Sequence, residues 1–333
     1  MKPYALGIVG TGAIGAMHVQ TALGAPDVRL AAVCDERPDV LEPMAARSGA
    51  RGYLRYEELA YEERLDGVII CTPPVTHREL VNFYLERGVD VLCEKPLAMN
   101  GLEAREMYAC ARRNGRLLML ASKFRYVADL AAARQLLREG ALGTIRHAEI
   151  TFTSNVDMRS RWNANPAVSG GGVVIDNGSH AADICRYLFG PVVSVAAVGY
   201  VRAEGLAVED SAYLYLGTAT GSGVTVDLSW SLERHLPYYV RIFGEHGRLS
   251  IGWKESTLSR GPSGHATTIG LGYSKAEAFV ALHRDFVEAS SAGGRPRMDD
   301  AAALAAVDVV EAAYASIRHG GRTAVEAEEG IAV

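Results

Sequence analysis

A short glycine-rich segment near the amino terminus has the spacing of a phosphate-binding turn. The letters GTGAIG at positions 10–15 follow an apolar, strand-like run and open a helical pattern. In such a G-x-G-x-x-G turn the first glycine permits the tight bend, the second lets a pyrophosphate approach the backbone, and the third allows close helix–strand packing. The helix N-terminus then offers free N–H groups to the phosphates. A purely structural turn has the same residues, but we favour a dinucleotide site whose contacts are Gly10, Gly12, Ala13, Ile14 and Gly15.

A carboxylate follows the second predicted strand, at the position that suits this turn. Asp35 comes directly after the strand-like run 28–34 and lies 20 residues beyond Gly15. A carboxylate there accepts hydrogen bonds from the ribose hydroxyls of the adenosine and repels a 2′-phosphate. The sequence therefore favours NAD as the cofactor. Arg37 is close enough to hold a 2′-phosphate, so NADP stays possible.

Lys95 is the second residue whose position suggests chemistry. It ends the strand-like run VLCEK at 91–95, and Pro96 follows it. Ligands of open α/β sheets bind outside the carboxyl ends of the strands. The chain has only five lysines among its 34 basic residues, so each lysine calls for a reason. We favour a functional Lys95 over an ordinary surface lysine on a loop.

A third constellation follows a run of three glycines at 170–172. If a helix begins near Asp176, then Asp176, His180 and Asp183 share one helix face through their i+4 and i+3 spacing. An acid beside an imidazole orients it and raises its basicity, as general acid–base catalysis requires. Two alternatives remain: the same side chains could ligate a metal, although no other His/Cys cluster completes such a site, or Asp176 could be a helix cap beside an incidental histidine.

Strand-like runs alternate with helical patterns through residues 1–122, the region that carries the glycine turn and Lys95. Continuous apolar strands separated by helices are typical of a parallel sheet covered on both faces. The sequence thus predicts a doubly wound α/β domain for dinucleotide binding at 1–122. The predicted strands are 5–9, 28–34, 67–71, 89–93 and 117–121, and the predicted helices are 15–23, 77–87 and 102–114.

Beyond residue 122 the pattern changes to strands of period two. Apolar and polar residues alternate at 148–152, 212–216, 224–230 and 249–253, with helical patterns at 129–138, 275–290 and 299–318. Alternation of this kind indicates a mainly antiparallel sheet with one face on helices. We therefore predict an α+β domain at 123–333 that binds substrate and forms the oligomer contacts.

Composition excludes several classes of protein. Hydrophobic residues make up 49% and charged residues 22% of the 333 residues, the balance of a globular protein with a core. No apolar run reaches the ~18 residues of a membrane span, and the amino terminus lacks a signal-peptide pattern. A net charge of −5 with scattered basic residues argues against nucleic acid. Five cysteines without a C-x-x-C pair fit a reducing, cytoplasmic location.

These motifs together resemble the Gfo/Idh/MocA family of sugar and cyclitol oxidoreductases. The resemblance runs almost end to end and rests on four segments: GTGAIG at 10–15, CTPPVTH at 71–77, EKPLA at 94–98 and SGGGVVIDNGSHAAD at 169–183. It implies a Rossmann domain followed by an α+β domain with a large, mainly antiparallel open sheet.

The resemblance also implies roles for individual residues. Lys95, Asp176 and His180 would be catalytic, and no metal would be required. Residues near the cofactor would include Thr72, Pro73, His77 and Glu94 besides Lys95. Arg125 and Trp162 would lie near the substrate. Lys123 stands where the family often has asparagine, so it would add a positive charge to the pocket or lie at its rim.

The function that we predict from the sequence is NAD-dependent transfer of a hydride from a secondary hydroxyl of a sugar, aminosugar or cyclitol. The alternatives are a non-catalytic, NAD-binding sugar sensor and an NADP-dependent keto-sugar reductase. The partner would be a small polyhydroxylated molecule, with neither nucleic acid nor membrane. We also expect a homodimer or homotetramer joined through the second-domain sheet, on whose uncovered face Trp230 and Trp253 would lie.

Overall fold

The computed structural model describes residues 2–261 and 264–325. The chain divides into two compact units, of which the first contains Met1–Lys123 and Lys275–Ala303 and the second contains Phe124–Ser274 and Leu304–Val333. Among the described residues, we find no helix that combines the length and the apolar character of a membrane span.

The first unit is a parallel sheet with helices on its connections. Its strands are β1 (Tyr4–Val9), β2 (Val28–Cys34), β3 (Arg51–Tyr53), β4 (Gly67–Ile70), β5 (Asp90–Glu94) and β6 (Leu118–Ala121). Its helices are α1 (Ala13–Leu23), α2 (Pro38–Ser48), α3 (Tyr56–Glu62), α4 (His77–Leu85), α5 (Gly101–Asn114) and, from later in the chain, α9 (Lys275–Ala292).

The strand order of this sheet is β3-β2-β1-β4-β5-β6, with every pair parallel. This is the order of a dinucleotide-binding Rossmann fold. Strands β1, β4 and β5 are fully buried, because helices cover both faces of a doubly wound sheet. The predicted doubly wound α/β fold is confirmed.

Helix α9 groups with the first unit, whereas the sequence suggested one continuous second domain from 123 to 333. Its Phe279 ring packs against His18 of α1, with 4.9 Å between ring centroids. Its Ser290 hydroxyl is hydrogen-bonded to the Tyr4 hydroxyl at 2.6 Å. The apolar stripe of α9 is therefore buried on the Rossmann unit, and a helical pattern alone does not reveal which sheet covers such a stripe.

The second unit is built on one large sheet. Its strands are β7 (Ile145–Thr153), β8 (Val192–Tyr200), β9 (Ser211–Thr218), β10 (Gly223–Ser229), β11 (Tyr238–Gly244), β12 (Gly247–Gly252), β13 (Ser256–Arg260), β14 (Ala266–Gly270) and β15 (Arg322–Ala324). Its helices are α6 (Ala128–Arg138), α7 (Pro166–Ser169) and α8 (Val173–Phe189), and most of α10 (Asp300–His319) belongs to it as well.

The nine strands lie in the order β14-β13-β12-β11-β7-β10-β9-β8-β15. Every pair is antiparallel except β7 with β10, where Ile150 lies opposite Val226. Helices α6 and α8 pack against the sheet and against each other. The mainly antiparallel open sheet predicted from the sequence is confirmed.

The exposed face of this sheet does not carry all the residues that the sequence predicted for it. Trp230 is buried, with 3% of its surface exposed, so it does not lie on an uncovered face. Tyr213, Tyr215 and Val198 are instead 40%, 47% and 49% exposed. Trp230 continues the alternation of Val224, Val226 and Leu228, which are all buried, so it lies on the face of the sheet that the helices cover.

Candidate active site

Four predicted site segments follow neighbouring strands of the first unit. Gly10 comes after β1, Asp35 after β2, Cys71-Thr72 after β4, and Lys95 after β5. The carboxyl ends of parallel strands meet at the same edge of a sheet, and the strand order reverses between β1 and β4. Ligands of doubly wound folds bind at that switch point. The fold therefore brings the glycine turn, the carboxylate and the lysine to one edge.

Steric crowding accounts for two of the three glycines in the turn. Gly10 has a φ of +89°, and a Cβ there would lie 2.8 Å from the Cys71 carbonyl. A Cβ on Gly15 would lie 2.0 Å from the Gly10 carbonyl oxygen. A Cβ on Gly12, in contrast, would meet no described atom within 4 Å. Gly12 thus keeps the backbone open on the side where a ligand would approach.

The start of α1 is suited to an anion. Gly12 is the N-cap residue and provides no side-chain cap, so the first N–H groups of the helix are not capped by a side chain. Unpaired N–H groups and the helix dipole favour phosphate at this position. The residues present therefore fit a dinucleotide pyrophosphate, with Ala13 and Ile14 in the first helical turn.

Asp35 is fixed by its neighbours beside the glycine turn. Its Oδ2 accepts a hydrogen bond from the Thr11 N–H at 2.9 Å, and Oδ1 accepts one from the Arg37 N–H at 3.1 Å. The exposed Arg37 guanidinium forms an ion pair with Oδ1 at 3.4 Å. A carboxylate held in this way at the end of β2 is placed as a ribose-binding acid requires.

His77 joins two loops at this edge of the sheet. It is completely buried, and its Nε2 lies 2.8 Å from the Thr72 carbonyl oxygen. Its Nδ1 lies 3.0 Å from the Pro96 carbonyl and 3.1 Å from that of Leu97. Burial lowers the pKa of His77, although these carbonyls and Glu94 oppose the shift. The side chain thus ties the loop of Thr72 and Pro73 to the loop after Lys95.

Glu94 is buried at the end of β5, with its carboxylate turned toward α1. Its Oε1 is 3.0 Å from His18 Nε2, and its Oε2 accepts a hydrogen bond from the Lys95 N–H at 3.0 Å. Burial raises the pKa of Glu94, but the hydrogen bond and charge of His18, with the charges of Lys123 and Lys95, outweigh burial and lower it. Lys123 therefore adds positive charge near the end of β5.

The second unit carries the predicted acid and histidine on α8. This helix begins at Val173 rather than near Asp176, because its N-terminus is capped by side chains distant in sequence. The N–H groups of Gly172 and Val174 donate to Glu209 Oε1 at 3.1 Å, and the Tyr314 hydroxyl donates to the same oxygen at 2.8 Å. Asp176 lies in the first turn and is not the cap.

The glycine run before α8 allows this capping. A Cβ on Gly171 would lie 2.0 Å from the Tyr314 hydroxyl, and a Cβ on Gly172 would lie 2.0 Å from the Glu209 carbonyl oxygen. Only glycine lets both partners approach the helix N-terminus so closely. The run is therefore explained by packing in the second unit.

His180 lies one turn after Asp176 in an aromatic environment. It is 6% exposed, and its ring meets the edge of Phe124 with 4.9 Å between centroids. The Phe152 ring centroid is 6.3 Å away. Asp176 is half-buried on the same helix. The i+4 spacing predicted from the sequence thus places the acid and the imidazole on one face of α8.

Arg125 and Trp162, both predicted to be near substrate, have different surroundings. Arg125 is 7% exposed, and its Nε donates to Asp183 Oδ1 at 3.1 Å, with a second hydrogen bond from its terminal nitrogen. This buried ion pair ties Arg125 to α8. Trp162 is 41% exposed in a short 3-10 helix, Trp162–Ala164. A substrate contact for either residue stays a prediction.

The described part of the chain contains no group of three His, Cys, Asp or Glu side chains arranged to hold a metal ion. Asp183, the third member of the metal-site alternative, is the partner of Arg125. The glycine turn and the carboxylate of Asp35 belong to the first unit. A Rossmann sheet with this turn and carboxylate defines an NAD-binding oxidoreductase.

Comparison with known proteins agrees with that class. Residues 4–122 match the oxidoreductase family with an NAD-binding Rossmann fold, and residues 130–250 match the GFO/IDH/MocA C-terminal domain. The chain belongs to the Gfo/Idh/MocA family of oxidoreductases, whose members include sugar and inositol dehydrogenases. The resemblance inferred from the motifs is confirmed.

Individual relatives align along nearly the whole chain. A D-apiose dehydrogenase of Paraburkholderia graminis is 28% identical over 96% of this chain and 89% of its own length. The rhizopine catabolism protein MocA of Rhizobium meliloti is 30% identical over 94% of this chain and 95% of its own. GenD2 from gentamicin A biosynthesis, whose crystal structure contains NAD, is 26% identical in sequence to this chain. The two structures match with a TM-score of 0.87 over 98% of this chain and 97% of GenD2.

Sequence reasoning missed several residues that shape the site. His18 lies three residues after Gly15, on the face of α1 that packs on the sheet, so its i+3 spacing was an available signal. His283, Glu209 and Tyr314 gave no such signal. Their partners lie between 35 and 265 residues away in the chain, and no local pattern reports such contacts.

Proposed function

We propose that this protein is an NAD-dependent dehydrogenase that acts on a secondary hydroxyl, or on the corresponding ketone, of a sugar, aminosugar or cyclitol. The observation that carries the proposal is Lys95 at the end of β5, on the half of the sheet opposite Asp35. A dinucleotide that binds its adenosine near Asp35 crosses the switch point toward β4 and β5. Lys95 is then near the reactive end of the cofactor.

Three side chains have roles in the proposed reaction. His180 takes the hydroxyl proton as general base when the alcohol is oxidised. Lys95 binds the same hydroxyl and stabilises the negative charge that develops on its oxygen. Asp176 holds the substrate or orients the imidazole. The nicotinamide, when bound, accepts the hydride from the carbon of that hydroxyl. The reverse reduction uses the same groups.

The substrate class is supported by the names of the relatives. One is a D-apiose dehydrogenase, one is a rhizopine catabolism protein, and one is a protein from gentamicin A biosynthesis. The physical argument agrees, because a lysine, an aspartate and a histidine offer both donors and acceptors to a polyhydroxylated molecule. The test is a screen for NAD reduction over sugars, cyclitols and aminosugars. Calorimetry of NAD and NADP binding should accompany the screen.

Site variants test the roles once a substrate is found. We expect His180→Ala to lower kcat by ~10²- to 10⁴-fold, the usual contribution of general acid–base catalysis. Lys95→Ala should cost at least as much, because it removes both binding and charge stabilisation. NAD affinity should change far less than the rate. The double variant should be little worse than the poorer single variant, since both groups act on one proton transfer. Near-normal turnover by Lys95→Ala would refute this mechanism.

Two other functions give different results in the same experiments. Tighter binding of NADP than of NAD would support an NADP-dependent keto-sugar reductase, in which Arg37 beside Asp35 would hold the 2′-phosphate. A non-catalytic sugar sensor would bind NAD and a sugar, with no NADH formed for any substrate of the screen. The dehydrogenase and the reductase both predict a rate that depends on His180 and Lys95, whereas the sensor predicts no turnover.

A further inference from the structure

Five aromatic side chains of the second unit form one connected cluster beside His180. They are Phe124, Phe152, Tyr239, Trp253 and Tyr273. The Phe124 ring is next to both His180 and Tyr273, with 4.9 and 5.2 Å between ring centroids. The Phe152 ring is likewise near His180 and Trp253, at 6.3 and 6.1 Å. Tyr273 and Trp253 are therefore each one ring away from the predicted general base, and the proposed reaction uses neither of them.

The cluster lies at one end of the second-unit sheet. Phe152 is near the end of β7, Tyr239 is near the start of the antiparallel β11, and Trp253 directly follows β12. Trp253 continues the alternation of Leu249 and Ile251, which are both fully buried, and its ring contacts that of Phe152. Trp253 therefore lies on the face of the sheet that the helices cover, not on the opposite face that the sequence predicted for it.

Two of the five rings remain accessible to solvent. Trp253 is 38% exposed and Tyr273 is half-buried, whereas Tyr239, Phe124 and Phe152 are buried. Trp253 and Tyr273 meet edge to face, with 5.7 Å between their centroids, so they form one continuous surface. Contiguous apolar surface that stays exposed on a folded protein marks a binding site more often than scattered single residues do.

The backbone holds the two accessible rings in place. The Tyr273 N–H donates to the Trp253 carbonyl oxygen at 3.2 Å. The preceding residue, Gly272, has a φ of +87°, and a Cβ there would lie 2.5 Å from the Lys254 carbonyl carbon. The buried carboxylate of Asp129 accepts a hydrogen bond from the Gly272 N–H at 2.8 Å. The surface is thus formed before a ligand binds, which lowers the cost of ordering it on binding.

We propose that Trp253 and Tyr273 form an aromatic platform that binds the carbon–hydrogen face of the substrate ring. The proposal rests on the function proposed above, because this is the ring whose hydroxyl His180 would deprotonate. A pyranose or cyclitol ring has hydroxyl groups around its edge and C–H groups on its two faces. The edge suits hydrogen-bonding side chains such as His180 and Asp176, and a C–H face suits the flat, apolar surface of an aromatic ring.

The platform predicts which polyhydroxylated molecules are preferred. A six-membered ring with equatorial hydroxyls presents a flat C–H face while its hydroxyls remain available for hydrogen bonds. An axial hydroxyl on that face would hold the ring away from the aromatic side chains, or would be buried without a partner. An open-chain polyol has no fixed face and loses more conformational freedom on binding. We therefore expect cyclic substrates with equatorial hydroxyls to be preferred over open-chain polyols.

Kinetics on an accepted cyclic substrate test the platform. We expect Trp253→Ala to raise KM by ~10- to 100-fold, the usual effect of losing an apolar contact in a binding pocket. The value of kcat should change little, because the contact is the same in the ground state and in the transition state. NAD affinity should be unchanged. Trp253→Phe should restore most of the substrate affinity, because phenylalanine keeps a ring face.

A second variant and a control separate the platform from the packing of the second unit. Trp253→Leu keeps an apolar cover over Tyr239 but has no ring face, and it should also raise KM. Tyr61, an exposed aromatic residue on α3 of the first unit, is the control, and Tyr61→Ala should keep the wild-type KM. An unchanged KM in both Trp253 variants, at unchanged thermal stability, would overturn the platform while leaving the dehydrogenase proposal in place. A lower mass of Trp253→Ala in light scattering, with an unchanged KM, would also overturn it, because a second copy of the chain would then cover Trp253.

A binding measurement tests the platform even without turnover. In saturation-transfer NMR, irradiated aromatic protons of a protein pass magnetisation to nearby protons of a bound molecule. With NAD-loaded wild type and Trp253→Phe, we expect transfer to the ring C–H protons of methyl β-D-glucopyranoside or scyllo-inositol. Transfer should be lost in Trp253→Leu and should be weaker for the open-chain sorbitol.

The outcomes of this measurement distinguish the two proposals. Equal transfer in wild type and Trp253→Leu, or no transfer to either cyclic probe, would overturn the platform. Transfer that depends on Trp253, with no NADH formed for any substrate of the screen, would instead count against the dehydrogenase.

Discussion

The ion pair between Arg125 and Asp183 offers a stringent test of how the second unit is held together. The two side chains are 7% and 1% exposed, and both the Nε and a terminal nitrogen of Arg125 donate to Asp183. Removing one partner of such a pair leaves an uncompensated buried charge, which destabilises a protein by about 3–5 kcal/mol. We expect Asp183→Ala to lower the free energy of unfolding of the second unit by this amount.

Activity should fall together with stability, because the pair is close to His180. Asp183 lies three residues after His180 on α8, and Arg125 follows Phe124, whose ring meets the His180 ring. Loss of the pair therefore frees both supports of the imidazole. Urea unfolding followed by circular dichroism measures the stability, and NAD reduction measures kcat on the identified substrate. The fall in kcat should exceed any change in NAD affinity.

Two further variants make this test decisive. Arg125→Met combined with Asp183→Leu removes both charges, and we expect it to be far less harmful to stability than either single loss of charge. The exposed pair of Asp157 and Arg159 has similar hydrogen bonds, at 2.9 and 2.8 Å, and serves as control. Asp157→Ala should leave the unfolding midpoint unchanged because water screens that pair. A loss below about 1 kcal/mol in Asp183→Ala, as for a surface pair, would refute the reasoning.

Three other predictions concern the cofactor, the thiols and assembly. Calorimetry should show that NAD binds more tightly than NADP, and this difference in affinity should be smaller in Asp35→Ala. Tighter binding of NADP by the wild type would mean that Arg37, not Asp35, determines the cofactor preference. Burial raises the pKa of the Cys34 thiol to about 12, and the negative charge of Asp35 contributes to this shift. Burial also raises the pKa of the other four thiols, so few cysteines are ionised to thiolate at pH 8. A thiol reagent should therefore react slowly with native protein and fully in urea, and rapid labelling would contradict this. Light scattering at micromolar concentration should give the mass of a dimer or tetramer. Tyr215→Glu, on the exposed face of the sheet, should lower that mass. A monomeric mass for the wild type would contradict the predicted assembly.

Local patterns were sufficient where one element determines its own structure. Buried strands such as β1 and β4 are continuous apolar runs, and the run of 28–34 matches β2 residue for residue. The glycine turn was equally readable, because the positive φ of Gly10 and the close contact of Gly15 with the Gly10 carbonyl oxygen both arise within the turn. The predicted edge of the sheet follows from strand ends alone. These features are short-range in sequence, and propensity and periodicity report them directly.

The elements that were missed depend on contacts that periodicity does not encode. Strand β3 has three residues, of which two are exposed, so it carries no apolar pattern. Strand β14 is largely exposed at the edge of the sheet and is equally silent. The start of α8 was misplaced because Glu209 and Tyr314, not a local cap, satisfy its N–H groups. Such contacts exist only after the chain has folded.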